Sequence, residues 1–285
     1  MSDLRLTVHD DAAGFVAAAE TFLRQSEVEN SMIATPAARM VSAPNDDDAG
    51  IYLATVTDRD NVVAAAFHGA SGGILLTAAP EPAVALIARD LASRGRNPIG
   101  VVGPLAQCEA FAREWRARTG RAHRLCFHLR HFELDQSPAR HVARGRLRAP
   151  DPSEHALIVD WQLAFIAELA LPDDLSRARR NVAQRIERGW MRVWDDGEVV
   201  AFVGYSEGAA ATARIAPVYT PPCHRGRGYA SAMVRELSRE LLGSGKRSLF
   251  LTTDAANPTS NSIYQRIGYR PVADHFQFEF IAPQE

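Results

Sequence analysis

The stretch that decides the fold is Ile215-Ala216-Pro217-Val218-Tyr219-Thr220-Pro221-Pro222-Cys223-His224-Arg225-Gly226-Arg227-Gly228-Tyr229-Ala230. It reads as a strand, a two-proline break, a glycine loop and the first turn of a helix. The helix continues to residue 242, with Met233, Val234, Leu237 and Leu241 at helical spacing. A loop feeding a helix N-terminus presents unpaired backbone N–H groups and the positive end of the helix dipole, which together attract an anion. Gly226 and Gly228 remove side chains from the approach, and Arg225 and Arg227 add positive charge. The Walker pattern with its Lys is absent, and Ser231 stands where a dinucleotide fingerprint needs its third glycine.

Outward from this loop, the second half alternates helices and strands. Residues 154–171 and 175–189 read as helices, the first stopped by Pro172. Residues 191–194, 199–205 and 210–219 read as strands, with Asp196-Gly197 as a hairpin turn. A short buried strand follows at 248–253. Asn257 and Pro258 then open a helix, the first as cap and the second at the first helical position. Residues 269–272 and 276–281 read as closing strands.

Two segments now carry a resemblance. Arg225, Gly228 and Ala230 follow a strand in the order Gln or Arg, two residues, Gly, one residue, Gly or Ala. This resembles the pyrophosphate motif of the GNAT N-acetyltransferases. Asn257, Ser260, Ile263, Tyr264, Gly268 and Tyr269 resemble the second signature of the same family, in the same order along the chain. The resemblance covers about residues 150–282. It implies an α/β (α+β) fold, a mixed and mostly antiparallel sheet flanked by helices. It also implies an acyltransferase that moves an acetyl group from acetyl-CoA, its cosubstrate, to a primary amine by direct attack in a ternary complex. Cys223 stands where many relatives carry an acidic residue.

The family's site residues carry over onto this sequence position by position. Val218, Tyr219 and Thr220 would flank the thioester, with a backbone N–H of Val218 or Tyr219 stabilising the oxyanion. Arg225, Gly226, Arg227, Gly228, Tyr229 and Ala230 would hold the pyrophosphate, and Asn257 and Asn261 the CoA arm. Tyr264 would be the general acid. A phenol, with a pKa of about 10, is protonated at neutral pH, and a thiol has a pKa of about 8.5, so the phenol can donate to the leaving sulfur. Glu168 is the candidate general base, with a water chain as the competing answer; Asp254 and Glu207 are weaker candidates. A non-catalytic acyl-CoA-binding or sensory module is the rival reading.

The first half repeats the order in outline: strands at 51–57, 62–68 and 73–77, a helix at 81–93, a strand at 98–102 and a helix at 105–119. Gly95 and Gly245 hold equivalent places, as do Gly120 and Gly268, which points to a duplicated αβ unit. The polar, Arg-rich stretch 136–152 places a junction near residue 142. Residues 1–142 are expected to be a degenerate GNAT-like domain without a CoA site, and 143–285 the catalytic one. Where the second half has its glycine loop, the first reads Ala78-Ala79-Pro80-Glu81-Pro82, and no tyrosine stands in the helix at 105–119.

Composition sets the outer limits. The chain has 285 residues, 46% hydrophobic and 23% charged, with a net charge of −2. These values fit a folded globular chain and supply no basic field for nucleic acid. Three cysteines, none at metal-ligand spacing, argue against a disulfide framework or a metal site and for a reducing cytoplasm. Neither a signal peptide nor a membrane span is visible. The expected partners are therefore a small-molecule or peptide amine, with no nucleic acid and no membrane, in a monomer or homodimer. His123, His128 and His131 are expected on a solvated sheet face, and Trp161, Trp190 and Trp194 as core or acceptor-wall aromatics.

Overall fold

The computed structural model describes residues 3–42, 44, 50–69, 72–140, 143–169, 175–208 and 211–282. Pro172 and the expected strand start at Ala210 lie outside them. In chain order, the first ten elements are β1 (Leu4–His9), α1 (Ala12–Arg24), α2 (Ser31–Ser42), β2 (Tyr52–Asp58), β3 (Asn61–His68), β4 (Ile74–Leu76), α3 (Glu81–Ser93), β5 (Gly100–Gly103), α4 (Leu105–Thr119) and β6 (Ala122–Leu134). The next ten are β7 (Arg146–Arg148), α5 (His155–Glu168), α6 (Leu175–Glu187), β8 (Met191–Asp195), β9 (Val199–Glu207), β10 (Thr212–Tyr219), α7 (Tyr229–Gly243), β11 (Ser248–Asp254), α8 (Pro258–Ile267) and β12 (Arg270–Ile281). Both sets run strand, two helices, three strands, helix, strand, helix, strand. The repeat therefore includes β1, α1 and α2, which the sequence reading did not assign.

Two compact units emerge, and they do not follow chain order. One comprises residues 1–131, 253–257 and 271–285; the other comprises 132–252 and 258–270. The reason is the last strand. β12 is one continuous strand, not the two expected, and it pairs antiparallel with β5 from Phe276↔Gly103 to Glu279↔Gly100. A split of the chain near residue 142 thus differs from the split of the folded units.

In the first unit, β2 pairs antiparallel with β1 and β3, β4 runs antiparallel to β3 and parallel to β5, and β12 follows. One face buries Ile87 and Leu91 of α3 and Phe111 and Trp115 of α4 with Val101, Phe278 and Phe280. The other face buries Phe15 of α1 and Ile33 of α2 against Leu53 and Ala65. Helices on both faces explain why five consecutive residues of β2 are buried. His131 is fully buried and meets His275 edge-on at 4.5 Å, so it does not stand on a solvated face.

In the second unit, β10 pairs with β9 antiparallel and with β11 parallel, and β8 joins β9 to β7. Strand periodicity sorts the side chains onto two faces. Val203, Ala213, Ile215, Leu249 and Leu251 pack with Met233, Val234 and Leu237 of α7. Met191, Val193, Phe202 and Tyr219 pack with Ile158 of α5 and Val182 of α6. Each fully buried side chain of this kind contributes about 1.5–3 kcal/mol before entropy is counted. The architecture is a mixed α/β fold with mostly antiparallel sheets flanked by helices. Among the described residues, no helix is long and apolar enough to cross a membrane.

Candidate active site

The central feature of the second unit is a parallel strand pair that comes apart. β10 and β11 pair at Thr212↔Ser248, Ala213↔Leu249 and Arg214↔Phe250, and no further, although β10 runs on to Tyr219 and β11 to Asp254. On the β9 side, β10 stays paired but shifts register between Ile215 and Val218. The shift moves Tyr219 onto the α5/α6 face, while Val218 packs toward the α7 cluster. Pro217, which has no N–H to give, lies inside the irregularity.

Beyond β10, a 3-10 turn at Pro222–His224 leads to the loop and α7. Gly226 and Gly228 have φ of +78° and +82°, a region that L-residues other than glycine enter at a cost. Nothing lies within 4 Å of a Cβ built on either. Gly228 caps α7 with no side chain bonded across the end, and the first turn carries no acid. The start of this fifteen-residue helix therefore has no side-chain cap for its opening N–H groups. Beside them lies a cleft of about 540 Å³ lined by Arg144, Asp196, Glu198, Arg227 and Tyr229. Arg144 pairs with Asp196 at 2.8 Å, and Tyr229 donates to Asp196 at 2.6 Å.

The two loop arginines differ. The Arg225 guanidinium donates to the Thr220 carbonyl (2.9 Å) and to Glu168 (2.6 Å), and it stands over the Tyr219 ring. Arg227 forms no ion pair among the described residues. Glu168, at the last position of α5, also accepts from the Tyr219 hydroxyl at 2.9 Å. Partial desolvation pushes its carboxyl up, but the hydrogen bonds from Arg225 and Tyr219 together outweigh this and hold it below the usual range. Desolvation, then the hydrogen bond to Glu168 and its charge, raise the Tyr219 phenol against the opposing pull of Arg225. A carboxylate held low by a guanidinium is a weak proton acceptor, so the geometry does not favour Glu168 as a base. Its link to a residue 57 positions away left no signal in the sequence.

Tyr264 lies on α8 with Ile263, and both pack on the α7 cluster that also receives Val218. Its ring meets Phe132 and Tyr269 at 6.1 Å each. Burial pushes its phenol up to about 12, so it stays protonated across the neutral range. Asn257 stands immediately before α8 and donates its backbone N–H to the Asp254 carbonyl; Asn261 lies in the first turn of α8. Asp254 accepts from the Ala256 N–H, and Glu207 is ion-paired with Lys246 at 2.7 Å. Trp161 stacks on Phe202 on the α5/α6 face, and Trp194 is core, its ring N–H bonded to the Arg144 carbonyl.

The corresponding place in the first unit is closed. A Cβ on Gly103 of β5 would lie 2.8 Å from the Leu76 carbonyl oxygen at the end of β4, so these strands stay in close approach. Thr77 turns its hydroxyl onto Ala65, and the Ala79 carbonyl accepts from Gln107 at 2.7 Å. Pro80 caps α3 with no side-chain hydrogen bond, and Glu81 pairs with Arg113 at 2.6 Å.

Known proteins are similar at two levels. Residues 155–269 match the family model described as the acetyltransferase (GNAT) family. No curated protein matches the sequence. Among solved structures, a GCN5-related N-acetyltransferase from Sphaerobacter thermophilus is similar with a TM-score of 0.64 and 15% identity, over 99% of this chain and 96% of that one. A GNAT-family acetyltransferase from Colwellia psychrerythraea gives 0.63 and 12%, over 97% and 100%. A tandem GNAT protein from the clavulanic acid biosynthesis pathway gives 0.60 and 15%, over 99% of each chain. At such identities these likenesses speak for the fold. The matched segment contains the parted strands, the glycine loop and Tyr264, and it is this segment, residues 155–269, that matches the GNAT acetyltransferase family.

Proposed function

We propose that this chain is an acetyl-CoA-dependent N-acetyltransferase acting on a primary amine by direct attack in a ternary complex. One observation carries the reading. The second unit combines an opened β10–β11 pair with a left-handed glycine loop at the head of α7, and Tyr264 packs on the same cluster as Val218. An extended pantetheine arm pairs with exposed strand backbone as an added strand would. Along β10, successive N–H groups alternate between β9 and the open edge, so one of Val218 and Tyr219 offers its N–H to a developing oxyanion. The N–H groups from Tyr229 onward, with Arg227, would meet the pyrophosphate. Asn257 and Asn261 would serve the CoA arm at the start of α8.

Tyr264 would give its proton to the departing sulfur and regain one from solvent, its raised phenol keeping the donor form available. Water would take the proton lost by the attacking amine. Glu168 then acts as a tether, holding Arg225 and thereby the loop. The closed strands, the two prolines and Glu81 support a first half that has lost CoA binding and serves as a structural partner. The three free cysteines suit a cytoplasmic enzyme. Thiol release from acetyl-CoA in the presence of an amine panel tests the reading. Binding of acetyl-CoA without release by any amine would instead support the non-catalytic module.

A further inference from the structure

Two arginines of the second unit stand at its apolar layer without a counter-ion among the described residues. On α6, Ala178 and Val182 form the buried stripe, at 3% and 1% exposure, and Arg185 continues it one turn on. On β10, Ala213 and Ile215 face α7, so Arg214 between them faces the α5/α6 side. Both arginines are half-buried. Among the described residues, no carboxylate pairs with either. Desolvation lowers both guanidinium groups, Arg185 to about 10, with the charge of Arg214 adding to its depression. The two positive charges therefore share one poorly solvated space. In the same layer, Gln162 lies on the sheet-facing stripe of α5 with Ile158 and Ile166; it is 9% exposed, and its side-chain carbonyl has no hydrogen-bond partner among the described residues.

An uncompensated pair of half-buried, desolvated cations is costly, and an anion that meets it relieves the cost. Its position says which anion. Arg214 is the last β10 residue paired with β11, one residue ahead of the register shift that begins after Ile215, and so stands at the apex of the parted strands. It faces the α5/α6 side, which carries Trp161, Phe202 and Tyr219. We propose that Arg185 and Arg214 form a clamp for the acceptor, which is an amine that also carries a carboxylate, seated between the two guanidinium groups. This rests on the acetyltransferase reading. The planar guanidinium suits a carboxylate through paired N–H donors, and the Gln162 carbonyl is an acceptor suited to an amine N–H.

The test uses the full chain, acetyl-CoA and a series of α- and ω-amino acids, each beside its carboxamide. Thiol release should favour an acid over its amide at least tenfold in kcat/KM. Arg185→Gln and Arg214→Gln should abolish that preference while leaving the KM for acetyl-CoA unchanged. Arg214→Met should raise the thermal midpoint, because it removes a desolvated, unpaired charge; a structural arginine would lower it. Calorimetry of the same amino acids on the CoA-bound protein reads the clamp without turnover. Amino-acid binding that is lost in Arg214→Gln, with no thiol release, would uphold the clamp and sink the acetyltransferase reading. Thiol release with amides or plain alkylamines as good as with acids, preference retained in both variants, or no amino-acid binding at all would overturn the clamp.

Discussion

The Arg225 guanidinium donates to the Glu168 carboxylate across 2.6 Å, joining the loop ahead of α7 to the end of α5. Tyr219 donates to the other carboxylate oxygen at 2.9 Å, so the strand that carries the expected oxyanion donor is tied into the same group. Both ionic side chains are more than two-fifths exposed, which limits the pair to about 1 kcal/mol or less of stability. Its consequence is positional.

Glu168→Gln is therefore expected to raise the KM for acetyl-CoA severalfold and to leave the shape of the pH profile of kcat unchanged. A general base would behave differently. Its loss would cost roughly 10² to 10⁴ in kcat and remove the acid limb of the profile. Because the folded carboxyl is held low, the stabilisation is present above the ordinary glutamate value of about 4.3 and fades as pH falls through the lower folded value.

Gly228→Val should weaken acetyl-CoA binding at least tenfold, about 1.4 kcal/mol. The left-handed φ of +82° makes any side chain there strained by roughly 1–2 kcal/mol, while the open space around it leaves the fold intact. Calorimetry with a parallel circular dichroism spectrum checks both halves of the expectation. Unchanged affinity in the folded variant would remove the loop from the pyrophosphate site.

Tyr264→Phe keeps the ring contacts with Phe132 and Tyr269 and deletes only the hydroxyl. Steady-state kinetics should show kcat lowered by about 10² to 10⁴ with the KM for acetyl-CoA little changed. A variant with near-wild-type kcat would assign Tyr264 to packing alone.

One CoA should bind per chain. Titration of protein of known active fraction reads the stoichiometry directly. A value near two would mean that the Ala78–Pro82 region binds CoA despite its prolines and its Glu81–Arg113 pair.

His275 predicts an acid-sensitive first unit. It is 3% exposed, neither ring nitrogen has a hydrogen-bond partner among the described residues, and burial lowers its pKa to about 4. The unfolded chain binds a proton near 6.5 that the folded chain refuses. Stability is thus fully present above about pH 6.5 and falls toward pH 4, by up to about 3 kcal/mol. Urea unfolding across that window should show the slope, and His275→Phe should flatten it.

Local chemistry made much of this legible. The spacing of Arg225, Gly228 and Ala230, and the run from Asn257 to Tyr269, are contacts between neighbours in the chain, so their pattern survives in one dimension. The stripe Ala12, Phe15, Ala19 and Leu23 behind the Asp11 cap marks α1, but alanine is a faint apolar signal and the stripe does not stand out in the sequence. The polar pair Asp274-His275 breaks the apolar pattern of the closing strand in the sequence, yet both lie within one continuous strand in the fold.

By itself the sequence determined the two family motifs, the glycine loop, the candidate acid and the tandem order of elements, because each rests on residues within one turn, one hairpin or one motif. Tertiary structure alone decided that β12 leaves its own repeat to pair with β5, that Glu168 belongs to Arg225, that His131 is buried against His275, and that Arg185 and Arg214 share one layer without a counter-ion among the described residues. Each of these joins residues tens to more than a hundred positions apart. The interaction energies depend on burial and distance, and neither quantity exists until the chain is folded.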